Sequence, residues 1–600
     1  MEIKEKNITR GGEFIIKETN SNDVFTPEDF SEEQLMMKQA VKEFIEKEVI
    51  PHRERFENKD FQLTEDTMKK AGELGFLGIA VPEKYGGMGM GFVSTMLVCE
   101  AISGACGSLS TAFGAHTGIG TMPIVLYGNE EQNKKYVPKL ASGEIFGSYC
   151  LTEPSAGSDA NSGKTKAVLS EDGTHYKITG QKMWISNAGF AKLFIVFARI
   201  ENDKNITGFI VPNEANNGIT LGEEEKKLGI HSSSTRQVFF NETVVPVENM
   251  LSERGNGFKI AMNSLNVGRI KLAVACLDAQ KRVTTHSVKY ANERIQFKTK
   301  IIDFEAIKEK IAIMATDTYV GESATYRAAN DIEDRIKIRH ESGNSFQESE
   351  LKGVEEYVIE CSILKVALSE DMQNIADEGI QVFGGMGFSA ETPMEGAWRD
   401  CRIGRIYEGT NEINRMLSIG MLIKKAMKGH IDFINPATAV ADELMGIPSF
   451  EIPDLTELFS QEKLILKNLK KVFLMLAGAG IKKFGEKIEQ HQQMLMAVSD
   501  ILIEIYMVES ALLRTEKNCN RFGKESQTTQ IAMTQLYLYR GVDIIQSKGK
   551  EVIISFSEGD EQKGLLMGLK RFTKYFEYPN VIELKNKIAN KVKEENEYCF

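Results

Sequence analysis

Apolar positions along this chain follow two different rhythms. Near the start, "FSEEQLMMKQAVKEFIEKEVIP" spaces its apolar residues as one face of a helix. Ser31 stands as N-cap with Gln34 three residues later, a capping-box pattern, and Pro51 closes the run. The first 148 residues read mainly as helix. From about Ser148 the spacing changes to short segments rich in aromatic and β-branched residues: "THYKITG", "QKMWISN", "LFIVFARI", "TGFIVP" and "RQVFFNETVVP". Gly, Asn and Asp separate them, so a small β-domain is predicted to about residue 258. Helical spacing then returns, as at Phe304, Ile307, Ile311 and Met314, and the long amphipathic helices that follow suggest a bundle. The stretch "DFINPATAVADELMGIPSFEIPD" (432–454) holds three of the thirteen prolines and reads as a linker to a last helical domain. The expected fold is α+β, with a helical domain over 1–148, a β-domain over 149–258, a helical bundle over 259–430, and a linker plus C-terminal helical domain over 431–600.

One junction stands out against this pattern. "RIYEGTNEINRM" sets Glu408 between an aromatic residue and Gly409-Thr410, just before a helical run with Ile413, Leu417 and Met421 on one face. Gly and Thr suit turns and caps better than helix interiors. Glu408 therefore either makes a charge–dipole contact at a helix N-terminus or projects its carboxylate into a cavity.

Composition narrows the classes. Six hundred residues exceed one core, and 42% hydrophobic with 26% charged residues describes an ordinary globular protein. A net charge of -12 argues against nucleic-acid binding. Eight scattered cysteines with no CxxC point to a reducing compartment, with neither a disulfide framework nor a metal site. The N-terminal "MEIKEKNITRGGEF" lacks the features of a signal or transit peptide, and no apolar run is read as long enough to span a membrane. A cytoplasmic location is expected.

Chemistry has to come from somewhere else, since no metal cluster or serine-type triad is evident. "PEKYGGMGM" is Gly-rich but lacks the context of a phosphate loop. "YCLTEPSAGSDA" (149–160) is a turn whose backbone can approach a ligand, with the Thr152 and Ser158 hydroxyls beside it. "QKMWISNAG" (181–189) holds one of two tryptophans, suited either to a core or to stacking on a planar ring. "QVFGGMGF" (381–388) puts a glycine pair at a helix end, as a C-cap or a ligand approach. A cofactor held where the β-domain meets the helices would supply the chemistry.

In this order and at these spacings, the segments resemble the acyl-CoA dehydrogenase family of flavoproteins, from "FTPEDFSEEQ" to "INRMLSIG". The C-terminal 170 residues resemble the family's very-long-chain branch. "ANERIQF" (291–297) also fits, with Lys298 where the family usually has glycine. The resemblance implies FAD as cofactor and Glu408, in "YEGT", as the base that removes the α-proton of an acyl thioester. Some branches place the base immediately before an arginine, but here that pair is Gly268-Arg269 and glycine cannot serve. By the same resemblance, Tyr149, Leu151, Thr152 and Ser158 contact the flavin, Ser158 also lying near CoA, while Trp184 and Ser186 lie on its ring. Arg294, Gln296 and Phe297, with Gln381, Gly384 and Gly385, bind the adenosine-diphosphate half across a subunit interface, and Thr410 and Glu412 lie by the pyrophosphate. Asn266 and Arg269 fall on the CoA side, with Tyr407 and Gly409 beside the base. Small residues at Ser110 and Gly114 imply a deep pocket for long acyl chains. A homodimer and an electron-transfer flavoprotein as electron acceptor are implied. An acyl-CoA oxidase, or a non-catalytic scaffold on the same fold, are the rival readings. The basic amphipathic stretch 463–489 reads as a helix packing on its own domain, with contact to an anionic membrane as the alternative.

Overall fold

The computed structural model describes residues 8–446 and 452–600. Helix Glu32–Glu48 starts as its capping box dictates: the Gln34 N–H donates to Ser31 Oγ at 3.2 Å and the Ser31 N–H to Gln34 Oε1 at 3.0 Å. It stops ahead of the turn that carries Pro51. Helix Phe92–Ser103 is apolar nearly all round and buried among its neighbours, as such a helix must be.

Eight strands form the middle domain: β1 (Gly147–Cys150), β2 (Lys166–Leu169), β3 (His175–Ser186), β4 (Leu193–Ile200), β5 (Thr207–Pro212), β6 (Ile219–Leu221), β7 (Thr235–Pro246) and β8 (Met250–Leu251). Their order is β6-β7-β3-β2-β4-β5-β8, with β1 parallel to β4. The sequence suggests a break at Gly180, yet "THYKITG" and "QKMWISN" form one strand. The glycine serves close packing there, since a Cβ would lie 2.7 Å from Thr165 Cβ. Register against β7 slips at Ile178/Gly180 and again at Lys182/Ile185. The second bulge re-aims Trp184.

Helices Gly257–Glu293, Glu305–Glu341, Val358–Phe383 and Asn411–Met427 make the bundle, and five more from Ser460 to Glu595 make the last domain. One apolar core runs from the N-terminal helices through the bundle into the C-terminal domain. The supposed linker is partly a helix, Ile434–Met445. Pro436 sits in its first turn, where a missing N–H breaks no bond. Residues 447–451 of that stretch, like Met1–Asn7, lie outside the described residues. Helix Ser460–Phe484 buries Ile465, Leu469, Val472, Phe473 and Leu476 within its own domain. Helix Gly257–Glu293 is long and apolar enough to cross a membrane, contrary to the sequence reading, and two-thirds of its most apolar window is buried in the bundle.

Candidate active site

Thr410 caps helix Asn411–Met427, its hydroxyl accepting from the Ile413 N–H at 3.3 Å. The chain reaches that cap through two left-handed residues, Glu408 at φ 59° and Gly409 at φ 83°. Holding a glutamate there costs on the order of 1 kcal/mol, so the surroundings must impose it. They do so through the carbonyls: Lys365 Nζ donates to Gly409 O at 2.8 Å, Asn414 Nδ2 to Gly409 O at 2.8 Å, and Arg269 Nε to Glu408 O at 3.3 Å. Backbone grip on all sides turns the carboxylate inward.

There it meets helix Gly257–Glu293 at Gly268. A Cβ on Gly268 would stand 2.8 Å from Glu408 Cδ and closer still to Oε2. Oε2 is shut off from solvent and has no hydrogen-bond partner. Burial pushes the carboxyl up to about 7, against the pull of the Arg269 and Lys365 charges. Lys365 itself is brought down to about 8, chiefly by burial and against the Glu408 charge. A carboxylate at the edge of ionisation, in an apolar notch, is built to take a proton. Gly268→Ala is expected to displace it and lower turnover about 100-fold while leaving the fold intact, as a steady-state assay beside a melting curve would show.

The other residues singled out by sequence fall into three groups. Tyr149 and Leu151 are buried on β1 and just after it, and the Tyr149 hydroxyl has no partner. Burial, then the Glu408 charge, raise that phenol well above its usual value. Thr152 and Ser158 lie on the following turn, which a buried Glu153–Lys182 pair at 2.7 Å staples to β3. Trp184 is 55% exposed at φ 59° on the bulge, an unusual setting for a tryptophan, and the Ser186 carbonyl accepts from Ser148 Oγ. Its indole face is open to a planar ring.

Ser110 and Gly114 lie on helix Gly107–Gly114. Nothing comes within 4 Å of a Cβ built on Gly114. Tyr407 lies beside Thr111 of that helix. Asn266 and Arg269 are buried and bond each other at 2.6 Å, so what the structure shows of Arg269 is support for the Glu408 backbone. Glu412 is exposed in the first turn after the Thr410 cap.

The third group sits at one end of the bundle. Arg294 leads into a two-stranded hairpin whose turn, Phe297-Lys298, has both residues left-handed, at φ 51° and 64°. Tyr290 stacks on Phe383 at 4.2 Å and so holds this hairpin beside Gly384-Gly385, where the helix ends at φ 59°. Gln381 and both glycines are exposed, with no atom within 4 Å of a Cβ on either glycine. Phe297 and Phe388 stand 90% and 86% exposed beside them. Among the described residues, no hydrogen bond or ring contact joins this group to Thr152, Trp184 or Ser186. The sequence reading missed Lys365, Asn414 and the Glu153–Lys182 staple. Lys365 left one trace, a lysine inside the apolar run "CSILKVALS".

Comparison with known proteins agrees with this layout. The chain matches the acyl-CoA dehydrogenase N-terminal domain over residues 31–144, the middle domain over 148–243, and C-terminal domain families over 255–421 and 468–571. It is 43% identical over 598 residues, all of both chains, to a Bacillus subtilis protein named "Probable acyl-CoA dehydrogenase". Human mitochondrial very long-chain specific acyl-CoA dehydrogenase is 40% identical over 360 residues, 59% of this chain and 52% of that one. The structure of a Bacillus anthracis acyl-CoA dehydrogenase complexed with FAD superimposes with TM-score 0.96 at 42% identity, covering 99% of this chain and 100% of the other. A helical–β–helical chain that buries an unpartnered glutamate oxygen at its domain junction, and matches all these domains in order, belongs to the acyl-CoA dehydrogenase family.

Proposed function

We propose that the protein binds FAD and dehydrogenates long-chain saturated acyl-CoA thioesters to trans-2-enoyl-CoA. The observation that carries this reading is the Glu408 carboxylate, with Oε2 buried and unpartnered in the Gly268 notch. The exposed indole of Trp184, the orphan Tyr149 hydroxyl and the open backbone at Gly384 and Gly385 fit a flavin dinucleotide. When bound, the flavin supplies a two-electron acceptor for hydride from the thioester β-carbon.

The chain's own residues do the rest. Glu408 takes the proton from the α-carbon onto a carboxylate oxygen, and the new double bond forms between the α- and β-carbons. An ordinary thioester α-C–H is a weak acid, so the base needs help from a raised basicity and from donors to the thioester oxygen. Burial supplies the first. For the second, the Glu408 N–H, which donates to no group among the described residues, is the candidate. Arg269, Lys365 and Asn414 fix the junction so that this donor and the carboxylate keep one geometry.

Long chains are favoured by the open space at Gly114 and by the small side chain of Ser110. Gly114→Glu is expected to cut the palmitoyl-CoA to octanoyl-CoA activity ratio at least about tenfold, by filling that space with a carboxylate. An unchanged ratio would place the acyl chain elsewhere. The exposed Phe297, Phe388, Arg294 and Gly384 surface is suited to meet a second copy of the chain, which would complete the dinucleotide site. All eight cysteines are free thiols, which suits work in the cytosol with an electron-transfer flavoprotein as acceptor.

An anaerobic visible spectrum of the purified protein tests the whole reading. A flavin band that bleaches with palmitoyl-CoA, without peroxide on turnover in air, is the expected result. A band that no acyl-CoA bleaches would overturn it.

A further inference from the structure

The support beneath Glu408 does not end at Lys365. The ammonium that donates to Gly409 O also donates to Asn411 Oδ1, at 2.7 Å. Asn411 opens helix Asn411–Met427 directly after the Thr410 cap. Its amide nitrogen gives its hydrogens to Ser369 Oγ at 3.1 Å and Glu370 Oε1 at 2.9 Å. One turn further along the same face of that helix, Arg415 grips Glu370 with a two-pronged pair, each bond 2.8 Å. Burial by itself would raise the Glu370 carboxyl, but the Arg415 hydrogen bonds and charge outweigh it and hold the group below its ordinary value. Glu370 also faces Arg405 at 3.8 Å. It therefore reaches both the entry and the exit of the loop that carries Glu408.

The last link belongs to another domain. Arg415 Nε donates to Asp500 Oδ1 at 2.7 Å. Asp500 lies on helix Gln492–Phe522 of the C-terminal domain, and Lys548 of helix Thr528–Phe556 stands 3.4 Å from its other oxygen. Beside it the buried Ser499 and Ser418 hydroxyls meet at 3.0 Å, so the two helices touch along this seam. The Arg415 and Asp500 side chains are only 13% and 19% exposed, and a pair so shielded is screened far less than one on the surface.

Hydrogen bonds of 2.7 to 2.9 Å thus run unbroken from the Gly409 carbonyl through Lys365, Asn411, Glu370 and Arg415 to Asp500. Among the described residues, Asp500 is the one side chain of the C-terminal domain that bonds into this series. The groups alternate in charge, Lys365 and Arg415 positive, Glu370 and Asp500 negative, so each member is held by the next. Removing the terminal carboxylate leaves Arg415 with Glu370 alone and frees it to move. Asn411 and Lys365 then lose a fixed partner, and the strained turn at Glu408 and Gly409 loses part of what imposes it.

We propose that Asp500 is a positioning residue for the base, so that the C-terminal domain holds the Glu408 loop in its working geometry through Arg415, Glu370, Asn411 and Lys365. This rests on the acyl-CoA dehydrogenase reading and gives the extra domain a part in it. Asp500 touches neither the acyl side nor the flavin side of the site. Its loss therefore acts on the alignment of the carboxylate in the transition state and leaves substrate binding nearly as it was.

The test is Asp500→Ala in the full-length holoenzyme, with Arg514→Met as the control. Arg514 lies on the same helix but bonds Glu28, Glu322 and Ser323, outside this series. Asp500→Ala is expected to lower kcat for palmitoyl-CoA about tenfold, with KM within about threefold and flavin content unchanged. Asp500→Asn, which keeps the acceptor oxygen, should recover part of that loss. Arg514→Met, assayed below its melting midpoint, should keep kcat within about twofold. In the double variant, the losses from Lys365→Met and Asp500→Ala should fall short of adding. An Asp500→Ala kcat within about twofold of wild type overturns the proposal, as does an equal loss in Arg514→Met or full additivity with Lys365→Met. Amide hydrogen exchange reads the same claim without turnover. Residues 408–414 should exchange at least about tenfold faster in Asp500→Ala while helix Glu305–Glu341 keeps its protection, and unchanged exchange at 408–414 overturns the proposal too. Wild-type flavin that palmitoyl-CoA never bleaches would sink the dehydrogenase reading instead, and exchange would still decide whether Asp500 holds the loop.

Discussion

Replacing Glu408 with glutamine is expected to lower kcat/KM for palmitoyl-CoA by about 10⁴-fold, with flavin content and melting behaviour unchanged. The substitution keeps the side chain's size in the Gly268 notch and removes only its ability to take a proton. No second carboxylate is placed to substitute, because the alternative base position is itself Gly268. Wild-type activity should also rise with pH. The Glu408 carboxyl is raised to about 7, and only its ionised form is a base, so kcat/KM climbs through about pH 7 and levels above it. A glutamine variant within tenfold of wild type would remove Glu408 from the mechanism. A flat profile across pH 6 to 8 would remove the raised basicity.

Replacing Arg514 with methionine is expected to cost about 3–5 kcal/mol, the largest loss of stability from any one side chain considered. Arg514 is 2% exposed and ties three parts of the fold together. Its guanidinium donates to Glu28 at 2.7 and 3.0 Å, to Glu322 of the bundle at 2.9 Å, and lies 4.3 Å from the centre of the Tyr319 ring. Methionine would fill much of the volume and leave buried Glu322 short of a partner. The urea midpoint of the C-terminal domain should fall, and protease should cut between 447 and 600 at lower concentration. An unmoved midpoint would show that the apolar core alone docks the domain.

The same contact sets an acid limit. Burial raises the Glu28 carboxyl, but the Arg514 charge and hydrogen bonds outweigh it and hold the group at about 2. The folded value lies below the ordinary 4.5, so the stabilisation is present above that pH and is lost as the medium falls toward 2. Wild type should therefore lose stability across this window, and Arg514→Met should lose far less, having lost the partner already.

Much of this protein follows from local sequence, because local physics decides it. The Ser31–Gln34 box fixes a helix start with atoms three residues apart. A near-continuous apolar run gives β4 and an alternating one gives most of β7, and the Gly409-Thr410 pair marks a turn and a cap without reference to the rest of the chain. Motif order then identifies the family and, within it, points to Glu408 as the candidate base. Where local reading failed, a distant group had intervened. Gly180 looks like a turn until Thr165 is seen against it. The prolines of 432–454 look like a linker although one of them sits harmlessly in a first helical turn.

What the chain could not reveal by itself is what surrounds each charge. Sequence places Glu408 at a junction and offers both a solvated cap and a buried base. Only the tertiary structure brings Gly268, 140 residues away, against its carboxylate, and sets Arg269 on its own carbonyl and Lys365 on that of Gly409. Basicity depends on desolvation and on charges a few ångströms off, and neither is a property of neighbours in sequence.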